Sequence, residues 1–160
     1  MKKMIRVLAL ILALVLLTGC GASTKTYTCR EMTMTVPGNM KDVSGQSDFK
    51  DFTFALDSSK IAIFGLNETF AEYPVLEDYS TKDYADLVIE LYQVNGTVAQ
   101  RFSSNYHYIV YTAPTNMGEF TYMAGIFKND KGFWMIQICT PTSNYNEQTF
   151  FTYMDSVNVG

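Results

Sequence analysis

Histidine is almost absent from this chain, and arginine is scarce: His107 stands alone, and three arginines occur in 160 residues. With one imidazole, any general base of the usual kind reduces to a single position. Cysteine is sparse as well. Cys20, Cys29 and Cys139 form no Cys-x-x-Cys pair, and with one histidine they fall short of a structural zinc set. No Gly-x-Ser-x-Gly elbow and no phosphate-binding glycine loop is present, and Gly45-Gln46-Ser47 reads as a plain loop. Lysines and arginines are scattered singly, which removes the basic patch that a polyanion needs to release its counterions. Nucleic acid is thereby excluded as a partner, and anionic headgroups are disfavoured on the same ground. Beyond Leu17 no segment approaches the roughly 20 apolar residues of a membrane-spanning helix.

What the sequence does hold begins at its start. Lys2, Lys3 and Arg6 make a positive region, Val7 to Leu17 is an unbroken apolar run, and Leu17-Thr18-Gly19-Cys20 closes it with small residues before a cysteine. This run is too short to span a bilayer and has the order of a processing signal. Leu17-Thr18-Gly19-Cys20 resembles the lipobox of bacterial lipoproteins. The resemblance implies cleavage after residue 19, acylation of Cys20, and a protein held on the extracytoplasmic face of the cell membrane. Buried acyl chains contribute about 0.8 kcal/mol per methylene, so two or three chains give stable anchoring.

The expected organisation is a signal peptide over residues 1–19, an acylated cysteine and short tether over 20–25, and one globular domain over 26–160. About 140 residues suit a single core. Past the signal, nine basic residues face sixteen acidic ones, a formal charge of −7. All eleven Tyr, all eleven Phe and the single Trp134 lie in this part, a composition that favours pleated, half-buried surfaces. Outside the cytoplasm the two remaining thiols, Cys29 and Cys139, are candidates for a disulfide or for two inert buried residues.

Strands are expected at Tyr27 to Cys29 and Met32 to Val36, at Phe52 to Leu56 and Ile61 to Leu66 around an Asp57-Ser58-Ser59 loop, and later at Thr97 to Phe102, Tyr106 to Thr112, Glu119 to Phe127 and Phe133 to Cys139. Ser80 with Asp83 reads as a capping box before Tyr84, Leu87, Val88 and Leu91 at helical spacing, and Asn95-Gly96 follows as the stop. Asn144 and Glu147 are placed to cap a last helix bearing Phe150, Phe151, Met154 and Val157. Several strands lack a polar face. Ile61 and Ile63 oppose Ala62, Phe64 and Leu66, while Phe133 and Met135 oppose Trp134, Ile136 and Ile138. Such strands must be covered twice. The expected α+β fold is an antiparallel sheet of about six strands with helices on both faces.

A Tyr-x-Cys strand, Met34 to Pro37, a hairpin, the Ser80-capped helix, a meander and a closing Phe150-Phe151 helix together resemble the PsbP-like family. The resemblance implies an α/β/α sandwich without family-wide catalytic residues, in domains that mainly bind other proteins. It leads to the expectation of a non-catalytic binding or accessory domain with no cofactor or metal, acting on an envelope protein or small ligand.

Two other chemistries have partial support in the residues. Cys139 and His107 on nearby strands would make a nucleophile and base, as in sortase-like transpeptidases. Those enzymes use an arginine after the cysteine, and this chain has none beyond Arg101. Asp83, Asp86 and Glu90 share a helix face, but calcium takes six or more oxygens and no acidic loop supplies them. Asn67-Glu68-Thr69 and Asn95-Gly96-Thr97 match glycosylation sequons, read here as chance. What stands out is the segment with Phe70, Tyr73, Pro74, Val75, Leu76 and Tyr79 among Glu72, Glu77 and Asp78, in which Phe70, Tyr73 and Tyr79 are the candidate binding residues. Its aromatic, acidic character suits either a partner-binding edge or a simple cover for the core.

Overall fold

A strand apolar on both sides can be buried only at the centre of a three-layer domain, and the two strands with that pattern pair there. The computed structural model describes residues 23–160. The signal peptide, Cys20 and the first residues of the tether lie outside the described residues. In chain order the strands are β1 (Thr24–Cys29), β2 (Met32–Pro37), β3 (Lys41–Asp42), β4 (Phe54–Asp57), β5 (Ala62–Thr69), β6 (Thr97–Arg101), β7 (Tyr106–Thr115), β8 (Gly118–Lys128) and β9 (Gly132–Pro141). Helix α1 (Thr81–Tyr92) links β5 to β6, and α2 (Glu147–Met154) closes the chain.

Seven strands form one sheet in the order β3-β4-β5-β9-β8-β7-β6, every neighbour antiparallel. Ala62 and Phe64 of β5, with Phe133, Met135 and Cys139 of β9, enter one core, which Tyr84, Ala85 and Val88 of α1 close from above. Ile63 of β5 and Trp134, Ile136 and Ile138 of β9 enter the other. The alternation read from the sequence therefore places each residue on its proper side, because successive strand side chains point to opposite faces.

The cover of the second face corrects the sandwich expected from the sequence. β1 and β2 do not extend the main sheet; they form a separate antiparallel hairpin whose Met32, Met34 and Val36 pack on the second core beside Phe150, Phe151 and Met154 of the short α2. That face is thus roofed by a β-hairpin together with a helix. The sheet also has seven strands instead of about six, since a two-residue β3 adds an edge beside β4. The hairpin is tied down where Thr33 and Asn158 exchange backbone hydrogen bonds of 2.8 and 2.9 Å.

Both helix starts follow from local chemistry. The Ser80 hydroxyl accepts from the Asp83 amide, and the Asp83 carboxylate accepts from the Ser80 amide at 2.9 Å, satisfying two donors that a helix start leaves open. Asn146 caps α2 by accepting from the Thr149 amide at 2.9 Å, two residues later than the Asn144 cap expected. Pro141 and a 3-10 turn over Thr142–Asn144 intervene.

Candidate interaction surface

Residues 70–80 leave β5 and cross one end of the sheet to reach α1. Phe70 sets its ring edge-on to Phe133 with centroids 5.8 Å apart, and Leu76 is buried in the first core. Lys128, at the end of β8, donates to the Glu77 carbonyl at 2.7 Å and to the Tyr79 carbonyl at 2.8 Å. Its ammonium also lies 5.3 Å from the Phe70 ring centroid and 5.4 Å from that of Phe133, within range of a cation–π attraction. One lysine thus clamps a loop of eleven residues to the sheet. Below it the Tyr84 ring stacks on Phe133, and the Tyr84 hydroxyl donates to the Glu68 carboxylate at 2.6 Å.

The loop's aromatic residues divide in two. Phe70 and Tyr79 are partly buried against the core, so covering it is their first role. Tyr73 and Val75, on and beside the 3-10 turn Pro74–Leu76, are instead 48% and 70% exposed. Glu72, Glu77 and Asp78 flank them and are exposed. Of the three binding candidates, Tyr73 alone is open to a partner, and Val75 joins it. The value of Lys128 escaped the sequence reading, because nothing local marks a lysine whose acceptors lie about fifty residues away.

Cys139 and His107 do not come together. The registers place His107 opposite Ile126, and Ile126 opposite Met135, four residues along β9 from Cys139. At about 3.3 Å per residue and 4.8 Å per strand, they stand roughly 16 Å apart. Cys139 is fully buried, and burial pushes its thiol up to about 12, so it is the neutral, inert form that exists. The Nδ1 of His107 is 2.8 Å from the Thr81 hydroxyl, which ties β7 to the first turn of α1.

The disulfide expected as one option for Cys29 and Cys139 is not formed either. Both thiols are free: Cys29 packs with the second core and Cys139 with the first, so the central sheet stands between them. Of the helix-face acids, Asp83 is engaged by the Ser80 cap and Asp86 pairs with Lys82 at 2.6 Å.

A second polar centre ties the β6–β7 turn to the end of α2. The Asp155 carboxylate accepts from Arg101 at 2.7 Å, Tyr106 at 2.9 Å and Ser104 at 3.0 Å. Arg101 also lies 4.1 Å over the Phe151 ring. The Arg101 hydrogen bond, with those from Tyr106 and Ser104, holds the Asp155 carboxyl below the usual carboxylate range.

Among solved structures, the chain is similar to the solution structure of cyanobacterial PsbP (CyanoP) from Synechocystis sp. PCC 6803, with a TM-score of 0.62 over 90% of this chain and 99% of that one. The fold is PsbP-like. Sequence identity across the match is 14%, so the likeness speaks for the architecture alone. No family model matches the chain, and no curated protein matches it by sequence. The PsbP-like domain spans nearly the whole described chain, and the clamped loop lies at one end of its sheet.

Proposed function

We propose that this protein is a lipoprotein anchored through acylated Cys20 on the extracytoplasmic face of the membrane, and that its PsbP-like domain is a non-catalytic binding or accessory module for an envelope protein or small ligand. The observation that carries the reading is the loop of residues 70–80, which presents Tyr73 and Val75 to solvent on a turn already fixed by Lys128. A pre-ordered loop loses little conformational freedom on binding, and tyrosine offers a large rigid contact. Exposed acidic neighbours favour approach by basic partners. The distance between Cys139 and His107 leaves the cysteine-enzyme alternative without its nucleophile and base.

The test places a photo-crosslinking amino acid at position 75, with position 50 as an exposed control, in the full-length protein on intact cells. The reading expects one defined envelope partner captured from position 75 and not from 50, with capture lost in Cys20→Ala. Equal capture at both positions, or capture unaffected by Cys20→Ala, would count against it. Mass spectrometry of the N-terminal peptide reports the acylation directly.

A further inference from the structure

Three lysines scattered along the sequence lie on segments that converge beside the first described residue. The Gly38 amide donates to the Ser23 carbonyl, which holds the start of the chain against the turn after β2. Lys25 reaches across to donate to the Met40 carbonyl. Lys41 follows directly, opposite Asp57 in the β3–β4 ladder. Lys60 sits in the tight turn just beyond Asp57, where its carbonyl accepts from Thr140 at 2.7 Å. All three lysines are exposed. The carboxylates of this corner are Asp42 and Asp57. Asp42 is turned towards Ser44 and Tyr27, and Asp57 is half-buried, with desolvation raising its pKa. Lys25 acts on Asp42 and Lys41 on Asp57 through their charge, but neither carboxylate is in a close ion pair with a lysine, the described pairs being Lys82 with Asp86 and Arg101 with Asp155.

Two residues separate Cys20 from Ser23, so their Cα atoms can be no more than about 11 Å apart. That is close to the distance over which headgroup charge is felt, about 8 Å at physiological salt. We infer that the corner formed by Lys25, Lys41 and Lys60 around the emerging N-terminus rests on anionic lipid headgroups and sets the domain's orientation on the bilayer. The inference depends on the reading of Cys20 as the acylated anchor. A tether alone leaves the domain free to roll. The domain as a whole is acidic, so an anionic surface repels most of it, and the lysine corner is the part it attracts. The strand directions put this corner at the Ala62 and Cys139 end of the sheet and residues 70–80 at the Thr69 and Gly132 end. The orientation therefore lifts Tyr73 and Val75 away from the membrane.

The test uses the acylated full-length protein, carrying Cys29→Ser and one added cysteine, Ser59→Cys or Val75→Cys, labelled with a small fluorophore. It is reconstituted into phosphatidylcholine vesicles with or without phosphatidylglycerol, each bearing a headgroup quencher. The expected result is stronger quenching at position 59 than at 75, a difference that grows with phosphatidylglycerol and is lost in Lys41→Gln with Lys60→Gln. Lys25 is kept in that variant because it holds the Met40 carbonyl. Equal quenching at both positions, or a difference indifferent to anionic lipid and to the two substitutions, overturns the orientation while leaving the anchor intact. Failure of the protein to float with either kind of vesicle overturns the anchor itself, and the orientation with it.

Discussion

Lys128 shows how much one side chain can decide. Its ammonium lies over Phe70 and Phe133 and donates to two carbonyls of the loop, so cation–π attraction and hydrogen bonding act through the same residue. Lys128→Met keeps most of the stem and removes the donors. The expected cost is about 1 kcal/mol in denaturant unfolding, with faster amide exchange confined to the loop. Unchanged exchange there would mean that Phe70 and Leu76 hold the loop by packing alone. Asp155 gives a pH dependence of known sign. Its carboxyl is held below the ordinary range in the fold by Arg101, Tyr106 and Ser104, so the folded state binds fewer protons than the unfolded one. The stabilisation is present above the unfolded value of about 3.9 and is lost as pH falls through the lower folded value. Stability of the wild type should therefore fall more steeply below about pH 4 than that of Asp155→Asn. Parallel acid limbs in the two unfolding series would remove Asp155 as the cause.

At the scale of elements, β5 and β9 bear the load of both cores, and small residues let them do it. The Phe54 ring of β4 lies across Gly65, its register partner on β5, so closely that an added Cβ would sit 2.0 Å from the ring carbon Cε1. Phe54 in turn packs near Trp134, with centroids 6.4 Å apart, which leaves the ring little room to retreat. Gly65→Ala is expected to destabilise the protein by about 1–3 kcal/mol through overpacking, measurable by thermal melting. Phe54→Leu should restore part of that loss in the double variant, because the obstruction is the ring. No restoration would point to backbone strain instead. The helices depend on shorter-range chemistry: the Ser80 cap is legible from the residues around it, while the cap of α2 falls on Asn146, two residues past the Asn144 expected, because a 3-10 turn intervenes.

The described domain is built on one seven-stranded sheet shared by two cores. Trp134 reports on one core and the Cys139 thiol on the other, yet both sit on β9. A shared central strand couples their loss, so tryptophan fluorescence and Cys139 reactivity, in a Cys29→Ser background, should change with the same denaturant midpoint. Separate midpoints would show that the hairpin and α2 detach before the α1 side opens. The same layering explains the two free thiols: nothing in the spacing of Cys29 and Cys139 reveals that a sheet passes between them.

Local patterns were enough for much of this fold. The two-sided apolar runs of Ile61 to Leu66 and Phe133 to Ile138 foretold central strands, and Ser80 with Asp83 foretold a helix start, because each rests on neighbours within four residues. The lipobox-like run ending at Cys20 is likewise a property of sequence alone. Which strand pairs with which is set by long-range register, and there the sequence was silent. It did not show that β1 and β2 leave the main sheet to roof the second core, nor that Cys139 and His107 lie far apart. It did not show that Lys128 reaches back to Glu77 and Tyr79. Lysines that look isolated in sequence become one corner only when β1, β3 and the β4–β5 turn are brought together, since charge acts through space and not along the chain.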